Sequence, residues 1–312
     1  MPSQIVTVLG PVAPEEIGLT DAHNHVWIER VPGAAPQAPR LDEWEPIVQE
    51  LRAYRSAGGS TLVDCQPGLC GRDGNVLAQL AEESGVHIIA STGFHRRRYY
   101  GPGAPLWKMS AEEACNYFLA EIRDGLSETR RAQRPVRPGL IKIAGEADLA
   151  QTPQSLLEGA VQAARASGYA IEMHTEKGSA VEEFLDFILA NELPPEQLVF
   201  CHMDKRPDLG LHKEVAQAGV MLEYDTFFRP KYDPDRHVWP LLQQMVNAGL
   251  HHRLALATDM ADSRMWRSFG GGPGLPALLT KIKPRLEKMG IGQETIRDLL
   301  GGNILRRLAI AT

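Results

Sequence analysis

The stretch Leu19-Thr-Asp-Ala-His-Asn-His-Val26 decides between the two folds that the rest of the chain allows. It is the first of eight short β-rich segments, which alternate with longer segments of helical periodicity and begin about 33 residues apart, the length of one βαβ repeat. An open doubly wound sheet usually carries a glycine-rich turn after its first strand, whereas this strand ends in His-Asn-His. The pattern therefore predicts an α/β protein with a closed (β/α)8 barrel, the TIM-barrel fold.

The alternation of strands and helices continues along the whole chain. The predicted strands cover residues 19–26, 60–65, 87–92, 139–144, 169–175, 198–202, 220–224 and 253–258. The predicted helices include residues 41–57, 74–84, 111–131, 153–167, 180–191 and 211–218. The sequence shows no repeat beyond the βα unit and no low-complexity linker. We therefore expect residues 1–312 to form a single domain, with its active site at the C-terminal ends of the strands.

Composition limits the classes of partner. The 312 residues include 33 Lys and Arg against 39 Asp and Glu, a formal net charge of −6, so the chain lacks the general positive field that binds nucleic acid or anionic lipid. The sequence shows no export signal and no apolar run near the roughly 20 residues that cross a bilayer. The four cysteines form no Cys-x-x-Cys pair and are predicted to be reduced thiols. We expect a cytoplasmic protein with a small-molecule substrate, and neither a nucleic acid nor a membrane as partner.

Potential metal ligands stand at the ends of four predicted strands. The period-two alternation of a strand turns His23 and His25 to the same face, and His174, His202 and Asp259 close the fifth, sixth and eighth strands. In a barrel these ends converge on one mouth, where active sites of this fold lie. A single strand-end histidine is usually a hydrogen-bonded core residue, but five such residues in matching positions indicate a metal site. Imidazole and carboxylate ligands suit Zn²⁺, our first choice, and also Mn²⁺, Co²⁺ or Fe²⁺.

Lys142 stands near the end of the fourth predicted strand, and the residues alone leave its role open. Two metal ions close together need a bridging anion, which an ordinary ammonium cannot provide. Reaction of the neutral amine with carbon dioxide would give a carbamate, whose two oxygens can bind one metal each. The alternative is a buried ammonium that pairs with Glu146 or Glu172.

The order and the strand positions of these residues resemble the phosphotriesterase-like branch of the amidohydrolase superfamily. The likeness covers nearly the whole chain. It includes Gly71-Arg-Asp73 after the second strand, Ala90-Ser-Thr-Gly-Phe94 at the third and Gly270-Gly-Gly-Pro-Gly-Leu275 after the eighth.

This resemblance implies a binuclear metal centre and hydrolytic chemistry. Metal binding lowers the pKa of water from 15.7 to about 7, so a bridging hydroxide is available at neutral pH to attack a carbonyl carbon or phosphorus. Asp259 would take the proton of the nucleophile and pass it to the leaving group, and the alternative is that it serves only as a metal ligand. The implied ligands are His23, His25 and Asp259 for the more buried ion, His174 and His202 for the more exposed ion, and N6-carboxylated Lys142 as the bridge between them.

Basic residues are concentrated in four loops at the same end of the predicted barrel. Arginine forks pair with carboxylate or phosphate groups, and tyrosine hydroxyls add further contacts. These loops predict recognition of an anionic substrate, and the alternative for the arginine run is a solvated surface or a subunit interface. The predicted substrate contacts are Arg96, Arg97, Arg98, Tyr99, Lys205, Arg206, Arg229, Lys231, Tyr232 and Arg264.

The loop after the eighth strand departs from the family pattern. In relatives that resemble sugar-phosphate lactonases, an arginine three residues after the aspartate and a tyrosine three further on hold the substrate phosphate. Here these positions are Asp262 and Met265, so the phosphate clamp is missing unless Arg264 and Arg267 reach in from a shifted register. This departure weakens the expectation of a phosphorylated lactone.

The first functional expectation is a metal-dependent lactonase that opens a small, polar, anionic lactone of the sugar-acid type. One alternative is a phosphoester hydrolase that acts on a cyclic or simple phosphoester. Another is a catalytically silent barrel that binds a ligand or a partner. The oligomer we consider is a homodimer whose subunits contact each other through an exposed aromatic patch of Trp107, Tyr99 and Tyr100.

Overall fold

The molecule consists of strands that alternate with helices throughout the chain. The computed structural model describes residues 3–311. Within these residues no helix combines the length and the apolar character that crossing a bilayer requires. The strands are β1 Ser3–Thr7, β2 Gly10–Val12, β3 Leu19–Asn24, β4 Gly59–Asp64, β5 His87–Ile89, β6 Ser91–Gly93, β7 Leu140–Ala144, β8 Ile171–His174, β9 Leu198–Cys201, β10 Met221–Tyr224, β11 Leu254–Leu256 and β12 Ile310–Ala311. The α-helices are α1 Trp44–Ser56, α2 Gly74–Ser84, α3 Ala111–Asp124, α4 Gln154–Ser167, α5 Val181–Ala190, α6 Leu209–Gln217, α7 Val238–Asn247, α8 Lys283–Lys288, α9 Gln293–Arg297 and α10 Asn303–Leu308, with π-helical turns at Leu278–Ile282 and Asp298–Gly302.

Two arcs of parallel strands together form the barrel wall. One arc has the order β3-β4-β5, and the other has the order β6-β7-β8-β9-β10-β11. β5 and β6 are two halves of one strand path, interrupted at Ala90, so the predicted strand over 87–92 spans both. The ring closes where the backbone N–H of Asp259 donates to the carbonyl of His23 at 3.0 Å. The predicted (β/α)8 barrel of the α/β class is confirmed.

A buried carboxylate, Asp21, joins the first and last strands of the barrel. It accepts hydrogen bonds from the backbone N–H and the hydroxyl of Thr258, at 3.0 and 2.6 Å, and from the side-chain amide of Asn24 at 3.0 Å. Burial raises the pKa of Asp21 to about 7. Because Asp21 and Thr258 directly precede the histidine pair and Asp259 in the chain, this junction brings the two parts of the site together.

Most predicted elements are present with ends shifted by a few residues, but one helix is much shorter than predicted. The helix predicted over 111–131 ends at Asp124. Gly125 adopts a φ of 100°, and the backbone N–H of Ser127 donates to the carboxylate of Glu121 at 2.8 Å. The chain therefore leaves the helix axis at Gly125, a conformation that glycine adopts without steric cost. α7 and the helical segments after residue 278 are additional to the predicted helices.

Inward-facing side chains fill the barrel in layers, because successive residues of a strand point to opposite faces. On β10, apolar Met221 is followed two residues later by Glu223 and then, just after the strand, by Asp225. On β9, Val199 is followed in the same way by Cys201. All five side chains are buried. The interior thus changes from an apolar floor through a buried polar layer to the charged groups at the mouth.

The opposite end of the barrel is plugged. The antiparallel strands β12-β1-β2 lie across it, and Ile5, Ile304 and Leu308 pack against the apolar floor. Full burial of each such side chain stabilises the fold by about 1.5–3 kcal/mol. A ligand therefore enters from the C-terminal ends of the strands.

Arg72 is a buried cation that connects the loop after β4 to α3. Its guanidinium donates to Glu121 at 2.7 and 3.1 Å, to Glu128 at 2.8 Å and to the carbonyl of Ser91 at 2.7 Å. The side chain is fully buried, so the two carboxylates compensate its charge. Burial alone would raise the pKa of Glu121, but Arg72 outweighs it and lowers that pKa to about 2.

We expect Glu121→Gln to destabilise the fold by about 3 kcal/mol at pH 7, because loss of one partner of a buried ion pair leaves the other uncompensated. The pKa of Glu121 is depressed in the folded protein. The ionised Glu121 therefore contributes its full stabilisation when the pH is above 4.5, its usual pKa. This stabilisation is lost as the pH falls toward 2. Chemical denaturation at pH 7 and at acidic pH measures both effects, with Glu112→Gln on the exposed face of α3 as the control. An unchanged free energy of unfolding in Glu121→Gln would contradict this role.

Candidate active site

The ends of the first and eighth barrel strands bring two imidazoles and a carboxylate together. Nε2 of His23 lies 4.0 Å and Nε2 of His25 lies 3.8 Å from Oδ1 of Asp259. One ligand atom from each residue lies within 4.8 Å of the other two, a spacing that fits one divalent cation. The structure thus groups His23, His25 and Asp259 as the sequence predicts.

His174, at the end of β8, and His202, just after β9, form a second pair of donors. Nδ1 of His174 lies 2.9 Å from Nε2 of His202, and the His202 ring centroid is 4.9 Å from that of His23. Nε2 of His174 is buried and has no hydrogen-bond partner among residues 3–311. A buried polar atom without a partner costs free energy, so this nitrogen is suited to bind a ligand. The first set of donors therefore fits one divalent metal ion, and the second pair offers the free Nε2 of His174, because both ring nitrogens of His202 have partners in this structure.

Two of these residues have a left-handed backbone conformation. φ is 62° at His202 and 45° at Asp259, values that residues with a side chain seldom adopt. The backbone N–H of His202 donates to Asp225 at 3.1 Å, and Arg229 donates to the Asp259 carboxylate at 2.7 Å. Strained conformations held in this way cluster at functional sites. The backbone thus supports the assignment of both residues to the site.

Three of the histidines are oriented through the ring nitrogen that faces away from the mouth. Such partners fix the tautomer and the direction of a metal-binding imidazole. Sequence reasoning does not single out these partners as site residues. Gln66 accepts a hydrogen bond from Nδ1 of His25 at 2.8 Å, and Asp225 accepts one from Nδ1 of His202 at 2.6 Å. Glu223 lies 2.7 Å from Nδ1 of His23, a contact without hydrogen-bond geometry.

Burial sets the charge state of the site. It lowers the pKa of His25 to about 3 and that of His174 to about 4, and it holds the pKa of His202 well below its usual range. These rings are neutral at pH 7, the form that binds a metal. Burial alone would raise the pKa of Asp259, but Arg229 outweighs it and holds this pKa well below its usual range. The carboxylate is therefore ionised.

Lys142 lies in the buried polar layer beside His23. Its Nζ is 3.0 Å from Sγ of Cys201, 3.4 Å from Oε1 of Glu172 and 3.5 Å from Nδ1 of His23. Of the two carboxylates considered as partners, Glu172 is the one that contacts Lys142, while Glu146 binds an arginine at the barrel mouth. The side chain is completely buried.

A cavity of about 780 Å³ opens at the barrel mouth, a volume typical of small-molecule sites. His23, His25, His174, His202 and Asp259 form part of its lining. The predicted substrate contacts that also line it are Arg98, Tyr99, Lys205, Arg229, Lys231 and Tyr232.

Two lysines flank one aromatic ring in this cavity. Nζ of Lys205 lies 6.0 Å and Nζ of Lys231 lies 4.9 Å from the ring centroid of Tyr232. Two ammonium groups on the lining of one cavity give it a positive charge that attracts an anion. The cavity is therefore suited to an anionic ligand.

The other four predicted contacts lie outside the cavity lining, because other groups hold their side chains. Arg96 binds the carboxylates of Glu146, at 2.8 Å, and of Glu176. Arg206 binds Glu182 at 2.8 and 3.0 Å. Their guanidinium groups are thus already paired.

The remaining two of these arginines point toward the surface. The guanidinium of Arg97 lies 5.9 Å from the ring centroid of Trp107. Arg264 binds Asp262 at 3.0 Å, and its side chain is 88% exposed. Arg267 donates to the carbonyl of Pro273 at 2.6 Å. The shifted register considered for Arg264 and Arg267 is therefore wrong.

The prediction of an exposed aromatic patch is also wrong. Tyr100 is only 3% exposed, and its hydroxyl accepts a hydrogen bond from the backbone N–H of His95 at 2.8 Å. Trp107 packs edge-on against Tyr100, and Tyr99 lines the cavity. This segment is folded into the barrel mouth, and a homodimer stays a prediction without that interface.

This barrel, with three neutral imidazoles and an ionised carboxylate at its mouth, has the architecture of a metal-dependent hydrolase. The model of the Phosphotriesterase family matches residues 3–308, and the chain belongs to this family. The resemblance in the sequence is thereby confirmed.

Similarity to individual proteins extends over almost the whole chain. A phospho-furanose lactonase from Mycoplasmopsis synoviae (strain 53) is 27% identical over 326 residues, which cover 97% of this chain and 91% of that protein. An N-acetyltaurine hydrolase from Salmo salar is 26% identical over 348 residues, 98% of this chain and 97% of that protein. The crystal structure of a lactonase from Listeria monocytogenes has a TM-score of 0.90 at 22% identity, covering 99% of this chain and 100% of that one. The last comparison confirms the fold.

Proposed function

We propose that this protein is a metal-dependent lactonase that opens a small, polar, anionic lactone of the sugar-acid type. The proposal rests on one observation: five side chains of metal-binding type line one cavity together with Lys205, Lys231 and Arg229, and three of the five lie close enough to hold one ion. The similarity to a phospho-furanose lactonase over 97% of the chain supports lactone chemistry. The alternatives are a phosphoester hydrolase and a catalytically silent barrel, and a substrate panel distinguishes them from a lactonase.

Two divalent cations are the cofactors we propose. His23, His25 and Asp259 would hold the more buried ion, and His174 and His202 the more exposed one. Zn²⁺ is the first choice for these nitrogen and oxygen ligands, with Mn²⁺, Co²⁺ and Fe²⁺ as alternatives. When bound, such ions lower the pKa of water toward 7 and so supply hydroxide at neutral pH.

N6-carboxylated Lys142 is the bridging ligand we propose. Its neutral amine adds to carbon dioxide and releases one proton, which gives a carbamate with two oxygens. Membership of the Phosphotriesterase family supports this role, whereas the contact of Nζ, at 3.5 Å, is with Nδ1 of His23 and not with the Nε2 assigned to the metal. The competing form is an ammonium that stays paired with Glu172 at 3.4 Å.

Asp259 is the residue we propose to move protons. One carboxylate oxygen lies near Nε2 of His23 and of His25, and Arg229 donates to the other at 2.7 Å. The ionised carboxylate accepts the proton of the nucleophile as its oxygen bonds to the carbonyl carbon. It then gives this proton to the ring oxygen as the acyl carbon–oxygen bond breaks.

Lys205 and Lys231 are expected to bind the anionic group of the substrate. We expect Lys205→Ala and Lys231→Ala each to raise KM for an anionic sugar-acid lactone by about tenfold or more. This is the loss of affinity expected when one charge-assisted hydrogen bond is removed. KM for the uncharged parent lactone should change little. Steady-state kinetics on the two substrates measures this difference, with Lys288→Ala on exposed α8 as the matched control. Equal changes in KM for charged and uncharged lactones would contradict an anion site.

A substrate panel tests the proposed function. The zinc-loaded protein is assayed on sugar-acid lactones with and without a phosphate or carboxylate, on cyclic and simple phosphoesters, and on N-acyl amides. We expect acid release from anionic lactones, with no phosphate released and no phosphoester opened. Turnover of phosphoesters in place of lactones would make the protein a phosphoester hydrolase. A metal-loaded protein that hydrolyses no member of the panel would favour the silent barrel.

A further inference from the structure

His95 lines the same cavity, but the resemblance and the roles proposed above leave it unassigned. It follows β6 by two residues, and 7% of it is exposed. Its ring centroid lies 5.2 Å from that of His174 and 6.4 Å from that of His25. It thus stands beside the proposed ligands of both ions.

The surroundings of His95 fix its orientation and its tautomer. The backbone N–H of Arg96 donates to Nδ1 at 2.7 Å, so Nδ1 acts as an acceptor. The neutral ring then carries its proton on Nε2. Tyr99 packs edge-on against the ring at 4.7 Å, and the Tyr100 hydroxyl binds the His95 backbone. Among the described residues no group accepts a hydrogen bond from Nε2, and its N–H is left for a ligand.

We propose that the Nε2–H of His95 donates a hydrogen bond to the carbonyl oxygen of the substrate as that oxygen becomes negatively charged. This inference rests on the proposed lactonase function. Asp259 lies within 4.0 Å of His23, His25 and His202 and serves the nucleophile and the leaving oxygen. The His95 ring lies nearer to His174, at 5.2 Å between centroids, than to His25, at 6.4 Å, and is therefore placed to serve the third reacting oxygen.

His95 keeps its proton throughout the proposed reaction. When the nucleophilic oxygen bonds to the carbonyl carbon, the π electron pair of the carbonyl moves onto its oxygen. The hydrogen bond that Nε2–H donates to this oxygen then strengthens. The pair then re-forms the carbonyl as the bond to the ring oxygen breaks, and the leaving oxygen takes its proton from Asp259. A donor that is already in place before the reaction does not need to reorient as charge develops on the oxygen, and this lowers the activation barrier.

Two variants of His95 separate a donor from a packing residue. His95→Phe keeps a ring of similar size without the N–H, and His95→Gln places an amide N–H₂ at about the reach of Nε2. We expect His95→Phe to lower kcat by about 10²–10³-fold, the usual loss of one oxyanion donor, with a much smaller change in KM and with metal content unchanged. His95→Gln should recover at least a tenfold part of that loss. A kcat within threefold of wild type for His95→Phe, or a His95→Gln no faster than His95→Phe, would overturn the proposal.

A change of acceptor atom tests which oxygen is bound. In a thionolactone, sulfur replaces the carbonyl oxygen and is a weak hydrogen-bond acceptor. The ratio of wild-type to His95→Phe kcat should therefore fall at least tenfold on this substrate. An equal ratio on the oxygen and sulfur substrates would show that His95 does not act on the carbonyl oxygen.

Failure of this inference is distinct from failure of the lactonase proposal. If the wild type opens phosphoesters and no lactone, the proposed function fails, and the same two variants are assayed with the phosphoryl oxygen as acceptor. The ¹⁵N spectrum of the wild-type holoenzyme tests the tautomer without any substrate. A proton on Nε2 of His95 is expected, and a proton on Nδ1 would overturn the inference whatever the substrate.

Discussion

Asp259→Asn is expected to lower kcat by about 10²–10⁴-fold, the contribution of a general base and acid, while the barrel stays folded. Asparagine nearly matches aspartate in size and still accepts a hydrogen bond from Arg229, which now contacts both the carboxylate and the backbone carbonyl of Asp259. The amide cannot accept and return a proton, and it carries no charge for a cation. The loss should therefore appear in turnover rather than in folding.

The measurement for Asp259→Asn combines steady-state kinetics, metal content and thermal unfolding. Asp124→Asn makes the same chemical change on an exposed side chain of α3 and should leave all three unchanged. A kcat equal to that of the wild type would remove Asp259 as the proton shuttle. A large loss of kcat at unchanged metal content would assign the effect to proton transfer.

Lys142→Ala is expected to reduce bound metal below two ions per chain and to lower kcat at least as strongly as loss of a proton shuttle. The variant removes the nitrogen on which the carbamate forms, so the two cations lose their bridging oxygens. A short carboxylic acid can enter the space that the lysine leaves and supply two oxygens in the same place. Metal content and turnover should then partly recover as this acid is added.

The contrast between Lys142→Ala and Lys142→Met controls for the buried ion pair with Glu172. Both variants remove the amine, but the methionine side chain fills the space, so only the alanine variant should respond to added acid. Elemental analysis of both proteins gives the metal stoichiometry, and denaturation gives their stability. Two ions per chain in both variants would refute the carbamate bridge and favour the ammonium that pairs with Glu172.

The barrel was predictable because its signals are local. The eight β-rich segments and the helices between them follow from hydrophobic periodicity, and His23 and His25 share a face because a strand alternates. The convergence of His174, His202 and Asp259 then follows from barrel geometry, since the ends of parallel strands meet at one mouth. The plug of β1, β2 and β12 was not predictable in this way, because its pairing joins the two ends of the chain.

The inner polar contacts were harder to predict. Glu223 and Asp225 alternate on one face of β10 just as His23 and His25 do on β3, and this spacing is a signal that could have placed them in the site. Gln66 gave no comparable signal, since a glutamine after a strand is common in loops. Its role depends on the position of the His25 ring across the barrel.

The basic loops show why a charge run does not identify a contact. Arg96 and Arg206 are adjacent in sequence to cavity residues, yet carboxylates from other elements pair with them. Sequence order shows which end of the barrel a loop occupies, but ion pairs with distant residues decide which side chains face the ligand. Lys205 and Lys231 remain in the cavity, where both lie near Tyr232.

Zinc titration of the metal-free protein shows whether lactone hydrolysis depends on two bound ions. The chelator-treated chain, with its metal content measured, is titrated with Zn²⁺ in the presence of bicarbonate while hydrolysis of an anionic sugar-acid lactone is followed. We predict no hydrolysis without metal and full hydrolysis at two ions per chain. Full lactone hydrolysis by protein shown to contain no metal would rule out a metal-dependent lactonase.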